Sequence, residues 1–201
     1  MKPEMSVEHD PSSNPFATRF IRPGAISYIL PAGTTLESLV RTLQQQQWRG
    51  SIIGPHGSGK SSLVAALIPA LERFDRQIVQ QQLHSGQRSL DWNSLQCERW
   101  TKQTLVIIDG YEQLSAWQRL WLQVRCRQRG AGLLVTAHQP VRLPVLFTTQ
   151  PSLELALGIV QRLLPESDDR ITPNDVAEAY ARHRSDLREM LLNLYDVYRQ
   201  R

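Results

Sequence analysis

The sequence predicts a three-layer α/β fold, with helices on both faces of a parallel sheet and a small helical unit at the carboxyl end. Strand-like apolar runs alternate with segments of helical periodicity over residues 34–150, which is the pattern of βαβ units. The run Thr104 to Ile108 is apolar and continuous, as expected of a strand that is covered on both faces. After Pro151 the remaining periodicity is helical.

Composition divides the chain into four parts. Residues 1–15 are rich in proline, serine, asparagine and charge, so they have little to bury and we predict a disordered tail. Residues 16–33 mix aromatic and β-branched side chains with proline and glycine, which indicates an ordered but irregular arm. The α/β core is expected over residues 34–150, and a helical unit over residues 151–201.

The first half of the core begins with a helix. Thr34 and Glu37 have the spacing of a capping box, so we predict that this helix starts at Thr34. The segment Gly50 to Ile53 has the character of a short buried strand, and apolar residues then recur at helical spacing from Lys60 to Leu71. A second strand is expected around Gln77 to Leu83.

The second half of the core continues the alternation from the strand at Thr104 to Ile108. Ser115 is placed to cap the next helix and Gly130 to end it. One apolar stripe of that helix consists of Trp117, Leu120, Trp121 and Val124. Strands over Gly132 to Ala137 and Val145 to Thr148 complete the predicted sheet.

Three helices are predicted after the core, over about Ser152 to Leu164, Thr172 to Arg182 and Ser185 to Arg199. The middle helix has the clearest start, because Thr172 can cap it and Pro173 suits the first helical position. An all-helical unit at the carboxyl end is therefore expected.

Composition also limits the classes of function. The 201 residues are 41% hydrophobic and carry a net charge of +4, which describes a globular protein without a dense nucleic-acid-binding surface. Cys97 and Cys126 belong to no CxxC pair, so we expect neither a disulfide framework nor a cysteine metal site. No segment has the character of a signal peptide or a membrane span, so we expect a cytoplasmic location.

A glycine-rich motif lies between the first predicted strand and the helix that follows it. It reads GPHGSGKS and satisfies the P-loop pattern GxxxxGK[ST], whose backbone N–H groups surround phosphate oxygens at the start of a helix. Lys60 is expected to reach the β- and γ-phosphates of ATP, and Ser61 to bind Mg²⁺. A simple glycine turn is the alternative, but the flanking strand and helix favour the P-loop. The predicted nucleotide-binding residues are Gly54, Pro55, His56, Gly57, Ser58, Gly59, Lys60, Ser61 and Ser62.

Asp109 follows the continuous apolar strand, at the strand end where ligands bind in open α/β sheets. We predict that Asp109 holds the Mg²⁺ hydration shell opposite Ser61. The alternative is an aspartate that only begins a turn before Gly110.

Candidates for catalysis follow the same strand and the next one. Many P-loop ATPases place a glutamate directly after the aspartate, but here that residue is Gly110. The nearest acid is Glu112, which either acts at the γ-phosphate or only starts the next helix. Thr136 and His138, at the end of a neighbouring strand, are candidates for contact with the γ-phosphate or the attacking water, although each is also common as a structural residue.

These motifs resemble the additional-strand class of P-loop ATPases, and within it the AAA+ superfamily. GPHGSGKS is similar to the AAA+ phosphate loop, LVIID to the metal-binding strand and LLVTAH to the sensor-1 strand. The last helix resembles the sensor-2 helix of the AAA+ lid, which implies that Arg188 reaches the γ-phosphate. The resemblance covers about Thr34 to Arg199. The Asp109-Gly110 pair resembles the STAND branch instead, which puts rapid hydrolysis in question.

The resemblance implies binding of ATP and Mg²⁺ and an ATPase or nucleotide-dependent switch that acts on a protein partner. An arginine finger, if present, would make the protein a homo-oligomer, with Arg119, Arg125, Arg127, Arg129 and Arg142 as candidates. A small-molecule kinase is an alternative, but no arginine-rich mobile segment lies between the predicted strands. A third hypothesis is that the basic helix at Arg119 to Arg129 binds nucleic acid. The alternative is that these basic residues form only a solvated helix face.

Overall fold

The structure is a computed structural model that describes residues 14–165, 168–183 and 186–201. The predicted disordered tail, residues 1–15, lies outside this range except for its last two residues. Ser185, the predicted start of the last helix, also lies outside the described residues.

The described residues form two compact units. The α/β unit comprises Leu30–Gln150. The helical unit comprises the described residues up to Ile29 together with those from Pro151 to Arg201. Most of the predicted arm, residues 16–33, therefore belongs to the helical unit, where Phe16 is fully buried.

A five-stranded sheet forms the centre of the α/β unit, with the strand order β2-β3-β4-β1-β5. All pairings among these strands are parallel. The strands are β1 (Arg49–Ile53), β2 (Gln77–Gln82), β3 (Thr104–Asp109), β4 (Gly132–Ala137) and β5 (Val145–Thr148). Helices flank this sheet in a three-layer arrangement, which confirms the predicted fold class.

The helices follow the predicted order, with two short additions. In chain order they are α1 (Thr18–Ile21), α2 (Leu36–Gln45), α3 (Lys60–Arg73), α4 (Trp92–Leu95), α5 (Ala116–Arg129), α6 (Leu153–Leu163), α7 (Pro173–Arg182) and α8 (Leu187–Gln200). Short 3₁₀ turns occur at Cys97–Arg99 and Tyr111–Gln113. None of the described helices combines the length and apolarity needed to cross a membrane.

The two central strands explain where the functional residues meet. β3 and β4 are buried at every position, because both of their faces are covered. β4 lies between β1 and β3 and pairs with both. Since parallel strands end at a common edge of the sheet, the residues that follow β1, β3 and β4 are brought together there.

The start of α2 differs from the prediction. Thr35 caps the helix: its hydroxyl accepts a hydrogen bond from the Ser38 N–H, and the Ser38 hydroxyl accepts one from the Thr35 N–H, both at 3.0 Å. The capping box is therefore shifted by one residue from Thr34 and Glu37, because a serine serves as the third helical residue. The Thr34 N–H instead donates to the Pro31 carbonyl, and Glu37 forms an exposed ion pair with Arg73 at 2.9 Å.

The predicted ends of α5 and the predicted start of α7 are confirmed. The Ser115 hydroxyl caps α5 by accepting from the Gln118 N–H, and Gly130 ends that helix with a φ of +67°. Thr172 caps α7 in a capping box, with Pro173 as the first helical residue. These ends are set by local hydrogen bonds, which is why spacing alone predicts them.

Asp168 holds together the segment between α6 and α8. Its carboxylate accepts two hydrogen bonds from the Arg170 guanidinium, at 3.0 and 2.7 Å, and one from the Tyr198 hydroxyl at 2.6 Å. The bond from Arg170, with help from Tyr198, lowers the pKa of Asp168 to about 2. The ionised carboxylate is therefore favoured in the folded state.

We expect Asp168→Asn to destabilise the protein at neutral pH by about 1–3 kcal/mol, because the hydrogen bonds to a charged acceptor are weakened. A folded-state pKa below the unfolded value stabilises the protein above pH of about 4, and this contribution is lost as the pH falls towards 2. Thermal unfolding of both proteins between these pH values measures the difference. A difference in stability between the wild type and Asp168→Asn that stays constant as the pH falls would contradict the expectation.

Candidate nucleotide-binding site

The glycine loop between β1 and α3 has a backbone that only glycine adopts easily. Gly54, Gly57 and Gly59 have φ values of +154°, +60° and +90°. A Cβ atom on Gly54 would collide with the hydroxyl and carbonyl oxygens of Thr149 and come within 3.0 Å of the Ser58 hydroxyl. The loop thus has the conformation and tight packing of an anion-binding turn at the start of a helix.

Thr149, which directly follows β5, holds this loop in place. Its N–H donates to the Ile53 carbonyl at 2.8 Å, and its hydroxyl lies 2.6 Å from the Ser58 hydroxyl. Ser58 in turn donates to the Pro55 carbonyl at 2.7 Å. The sequence contains no local signal for this contact, because Thr149 and Ser58 are separated by 91 residues.

Lys60 places its charge inside the loop. Its ammonium group donates to the carbonyls of Gly54, at 2.8 Å, and Pro55, at 2.6 Å, and the side chain is buried. Ser61 and Ser62 follow in the first turn of α3 and are half-buried, whereas Pro55 and His56 are exposed. A buried ammonium beside a positive helix end is suited to phosphate.

The carboxylate of Asp109 is oriented by Thr136. Asp109 is buried at the end of β3, and the Thr136 hydroxyl donates to its Oδ1 at 2.5 Å. The same hydroxyl accepts from the Gly110 N–H at 2.9 Å. The hydroxyl proton of Thr136 is therefore already donated to Asp109. This geometry favours a role for Thr136 in positioning the Asp109 carboxylate over the predicted contact with the γ-phosphate.

We expect Thr136→Val to leave the Asp109 carboxylate and the Gly110 N–H without this buried partner, which costs about 1–3 kcal/mol. The Mg²⁺ dependence of ATP binding is expected to shift to higher Mg²⁺ concentration, as measured by titration alongside thermal unfolding. Thr148→Val, at an exposed position, is the control. Equal Mg²⁺ dependence in both variants would show that Thr136 does not orient Asp109 for the predicted binding of Mg²⁺.

The backbone at Gly110 disfavours a glutamate directly after Asp109. Gly110 has a φ of +87°, and a Cβ atom there would come within 2.9 Å of the Leu83 carbonyl oxygen. A glutamate would therefore be strained at this position. The nearest carboxylate is displaced to Glu112, in the 3₁₀ turn that follows.

Glu112 is paired with His138, which follows β4. The Nε2 of His138 lies 2.7 Å from Glu112 Oε1, and the His138 ring stacks on the ring of His56 with 3.8 Å between centroids. Burial lowers the pKa of His138, and Lys60 and His56 lower it further, while Glu112 acts in the opposite direction. Glu112 Oε2 is buried and has no hydrogen-bond partner among the described residues.

The contact with Glu112 favours a proton on Nε2 of His138. A neutral imidazole that donates from Nε2 to Glu112 leaves Nδ1 able to accept a proton. The pair therefore has the composition of a general base, with a histidine to take the proton and a carboxylate to stabilise the imidazolium.

The remaining predicted residues are distributed as follows. Arg188 is exposed in the first turn of α8, in the helical unit, so its contact with a nucleotide stays a prediction. Arg119 donates to the backbone carbonyls of Leu114 and Glu112, at 2.9 and 2.8 Å. These hydrogen bonds within the same chain disfavour Arg119 as an arginine finger. Exposed candidates for an arginine finger are Arg127, Arg129 and Arg142, whereas Arg125 stacks on Trp121.

No cluster of three or more His, Cys, Asp or Glu side chains suited to a metal occurs among the described residues. A Mg²⁺ ion that is held by one carboxylate, one hydroxyl, water and phosphate needs no such cluster. Ser61 and Asp109 are the residues predicted to supply this donor set.

Comparisons with known proteins agree at the level of the fold. No family model and no curated protein matches the chain. Among solved structures, Hsp104 of S. cerevisiae in its complex with casein has a TM-score of 0.54 at 14% identity, over 90% of this chain and 39% of that one. C. elegans PCH-2 has a TM-score of 0.39 at 13% identity, over 82% of this chain and 67% of that one.

The likeness to Hsp104 agrees with the three-layer α/β fold described above. The chain spans 39% of the length of the Hsp104 chain.

Proposed function

We propose that this protein binds Mg²⁺-ATP and is an AAA+-like ATPase that couples nucleotide binding or hydrolysis to a conformational change or a partner interaction. The glycine loop carries this proposal. Gly54 leaves no room for a Cβ atom, and the Lys60 ammonium lies within the loop that it begins. A buried cation in such a cradle suits a phosphate chain better than a neutral ligand.

The other ligands follow from the same edge of the sheet. Ser61 and Asp109 would hold Mg²⁺, which neutralises phosphate charge when bound. β4 lies between the strand of the glycine loop and the strand of Asp109, which supports the additional-strand class of P-loop ATPases.

For hydrolysis we propose that His138 and Glu112 act together. His138 Nδ1 accepts a proton from the attacking water, and the Glu112 carboxylate, 2.7 Å from Nε2, stabilises the resulting imidazolium. The pair thereby replaces the glutamate that the backbone at Gly110 does not admit.

A second candidate function is a nucleotide-dependent switch with little hydrolysis, like the STAND branch. The observation that favours it is Gly110 itself, because the next carboxylate in the sequence after Asp109 is that of Glu112, three residues further on, and it is paired with a histidine. In this case Arg188 would report the nucleotide state to the helical unit.

ATP binding and phosphate release, measured across protein concentration alongside light scattering, test both functions. A rate of phosphate release per subunit that rises with protein concentration supports an oligomeric ATPase. A rate per subunit that is independent of protein concentration supports a monomeric one. Binding without release supports the switch. Absence of Mg²⁺-ATP binding at millimolar concentration would overturn the proposal.

A further inference from the structure

One face of α5 is apolar and exposed. Trp117, Leu120, Trp121 and Val124 form this face, which we call the α5 stripe, with exposed fractions of 66%, 54%, 42% and 40%. On the other side of the helix, Leu122 and Cys126 are buried. Large apolar side chains at successive helical positions are rarely left in water without a binding role.

The stripe borders a pocket that is open to solvent. This pocket has a volume of about 410 Å³, and its lining includes three tryptophans, Trp92, Trp117 and Trp121, and two charged side chains, Glu98 and Arg125. The rings of Trp92 and Trp121 are 6.1 Å apart and meet edge to face, and Trp92 Nε1 donates to Gln118 Oε1 at 3.2 Å. Because these contacts order Trp92 and Trp121, a partner side chain that packs against these two rings needs to order few groups.

The charged side chains of α5 are all positive. α5 contains four arginines and no acidic residue. At about 100° per residue, Arg125 and Arg127 lie roughly 80° on either side of Trp117, so they flank the stripe. The Nε atom of Arg125 is buried without a hydrogen-bond partner among the described residues, and its guanidinium lies 5.0 Å from the Trp121 ring.

We propose that the α5 stripe binds an acidic amphipathic helix of a partner protein. Apolar side chains of that helix cover the stripe, one of them enters the tryptophan pocket, and carboxylates on its flanks pair with Arg125 and Arg127. Matching apolar spacing is the usual basis of such helix-in-groove contacts. This inference does not depend on nucleotide binding.

The composition of the stripe favours a helix over single-stranded nucleic acid. Leu120 and Val124 give the stripe an aliphatic half, which packs against side chains but offers no ring for base stacking. The Glu98 carboxylate also lines the pocket and repels any anion there, so the side chain that enters the pocket is apolar and the carboxylates of the helix lie on its flanks. A second copy of this chain fits less well, because α7 and α8 carry arginines beside their acids.

The test uses a fluorescein-labelled helical peptide of about six turns, with leucine at i, i+3, i+4 and i+7 and glutamate on both flanks. We expect the full chain to bind it with an affinity that falls at least tenfold in Leu120→Asp and in Arg125→Glu/Arg127→Glu, measured by fluorescence anisotropy. Leu153→Asp, an exposed leucine of the helical unit, is the matched control and should bind as the wild type does. Thermal unfolding checks that each variant is folded.

Three results would overturn the proposal. The first is equal affinity for the acidic peptide and for the same peptide with lysine in place of glutamate. The second is tighter binding of oligothymidylate than of the acidic peptide, lost in the same variants. The third is a dimer in light scattering that Leu120→Asp dissociates while peptide binding is unchanged.

Discussion

Lys60→Ala is expected to lose ATP affinity by roughly 100-fold or more, which corresponds to about 2.8 kcal/mol. The wild-type ammonium is buried and held at 2.8 and 2.6 Å by the carbonyls of Gly54 and Pro55, so its charge is already placed in the loop. Alanine removes that charge and leaves two carbonyl oxygens facing the phosphates. Calorimetric titration with Mg²⁺-ATP measures the difference.

Lys102→Ala provides the matched control, because Lys102 is an exposed lysine of the same unit. Gly54→Val is a second route to the same loss, since its Cβ would collide with Thr149 and open the loop. Unfolding curves identify a variant that fails to fold. Tight ATP binding by a folded Lys60→Ala variant would remove the basis of the proposed function.

Glu112→Gln is expected to slow phosphate release by roughly 100-fold or more while ATP binding is retained, in line with the loss of a general base. Glutamine keeps the size of the side chain but cannot stabilise an imidazolium at His138. His138→Ala should have a similar effect. Single-turnover hydrolysis with bound ATP separates this chemical step from nucleotide binding.

The pH profile gives an independent readout. Because burial lowers the pKa of His138, the neutral imidazole predominates at neutral pH, and this is the form that the proposed mechanism requires. The wild-type rate is therefore expected to be flat above the lowered pKa and to fall as the pH drops through it. His84→Ala, at an exposed histidine, should keep this profile. Unchanged turnover in Glu112→Gln would exclude the pair from catalysis.

Local signals in the sequence predicted most of the fold. The continuous run before Asp109 is apolar because β3 is covered on both faces, and spacing alone was enough to locate the caps Ser115 and Thr172. The start of α2 was wrong by one residue, because Thr34 and Thr35 are adjacent potential caps. Which of the two threonines caps the helix depends on which hydroxyl accepts a hydrogen bond from a backbone N–H of the first turn, and here it is the hydroxyl of Thr35, which accepts from the Ser38 N–H.

The candidate site was less predictable where it depends on contacts between distant strands. The glycine loop and Asp109 are recognisable from their own neighbours in sequence. Thr149 was missed, because its contact with Ser58 arises only when β5 pairs with β1. The pairing of Glu112 with His138 likewise requires β3 and β4 to lie side by side.

The α5 stripe shows a similar limit. Its helical spacing is evident from the sequence, but periodicity does not state which face of a helix meets the core. Leu122 and Cys126 were the residues that packed inward, because both fit against the apolar side of the sheet. The larger stripe was left on the surface.

Arg119 belongs to α5, yet its guanidinium donates to the carbonyl of Glu112. A hydrogen bond thus joins the surface helix directly to the segment that contains Glu112. We expect a displacement of one of them to change the position of the other. Thermodynamic linkage makes any such effect reciprocal: if a nucleotide alters the affinity of α5 for its partner, the partner alters the affinity for the nucleotide by the same factor.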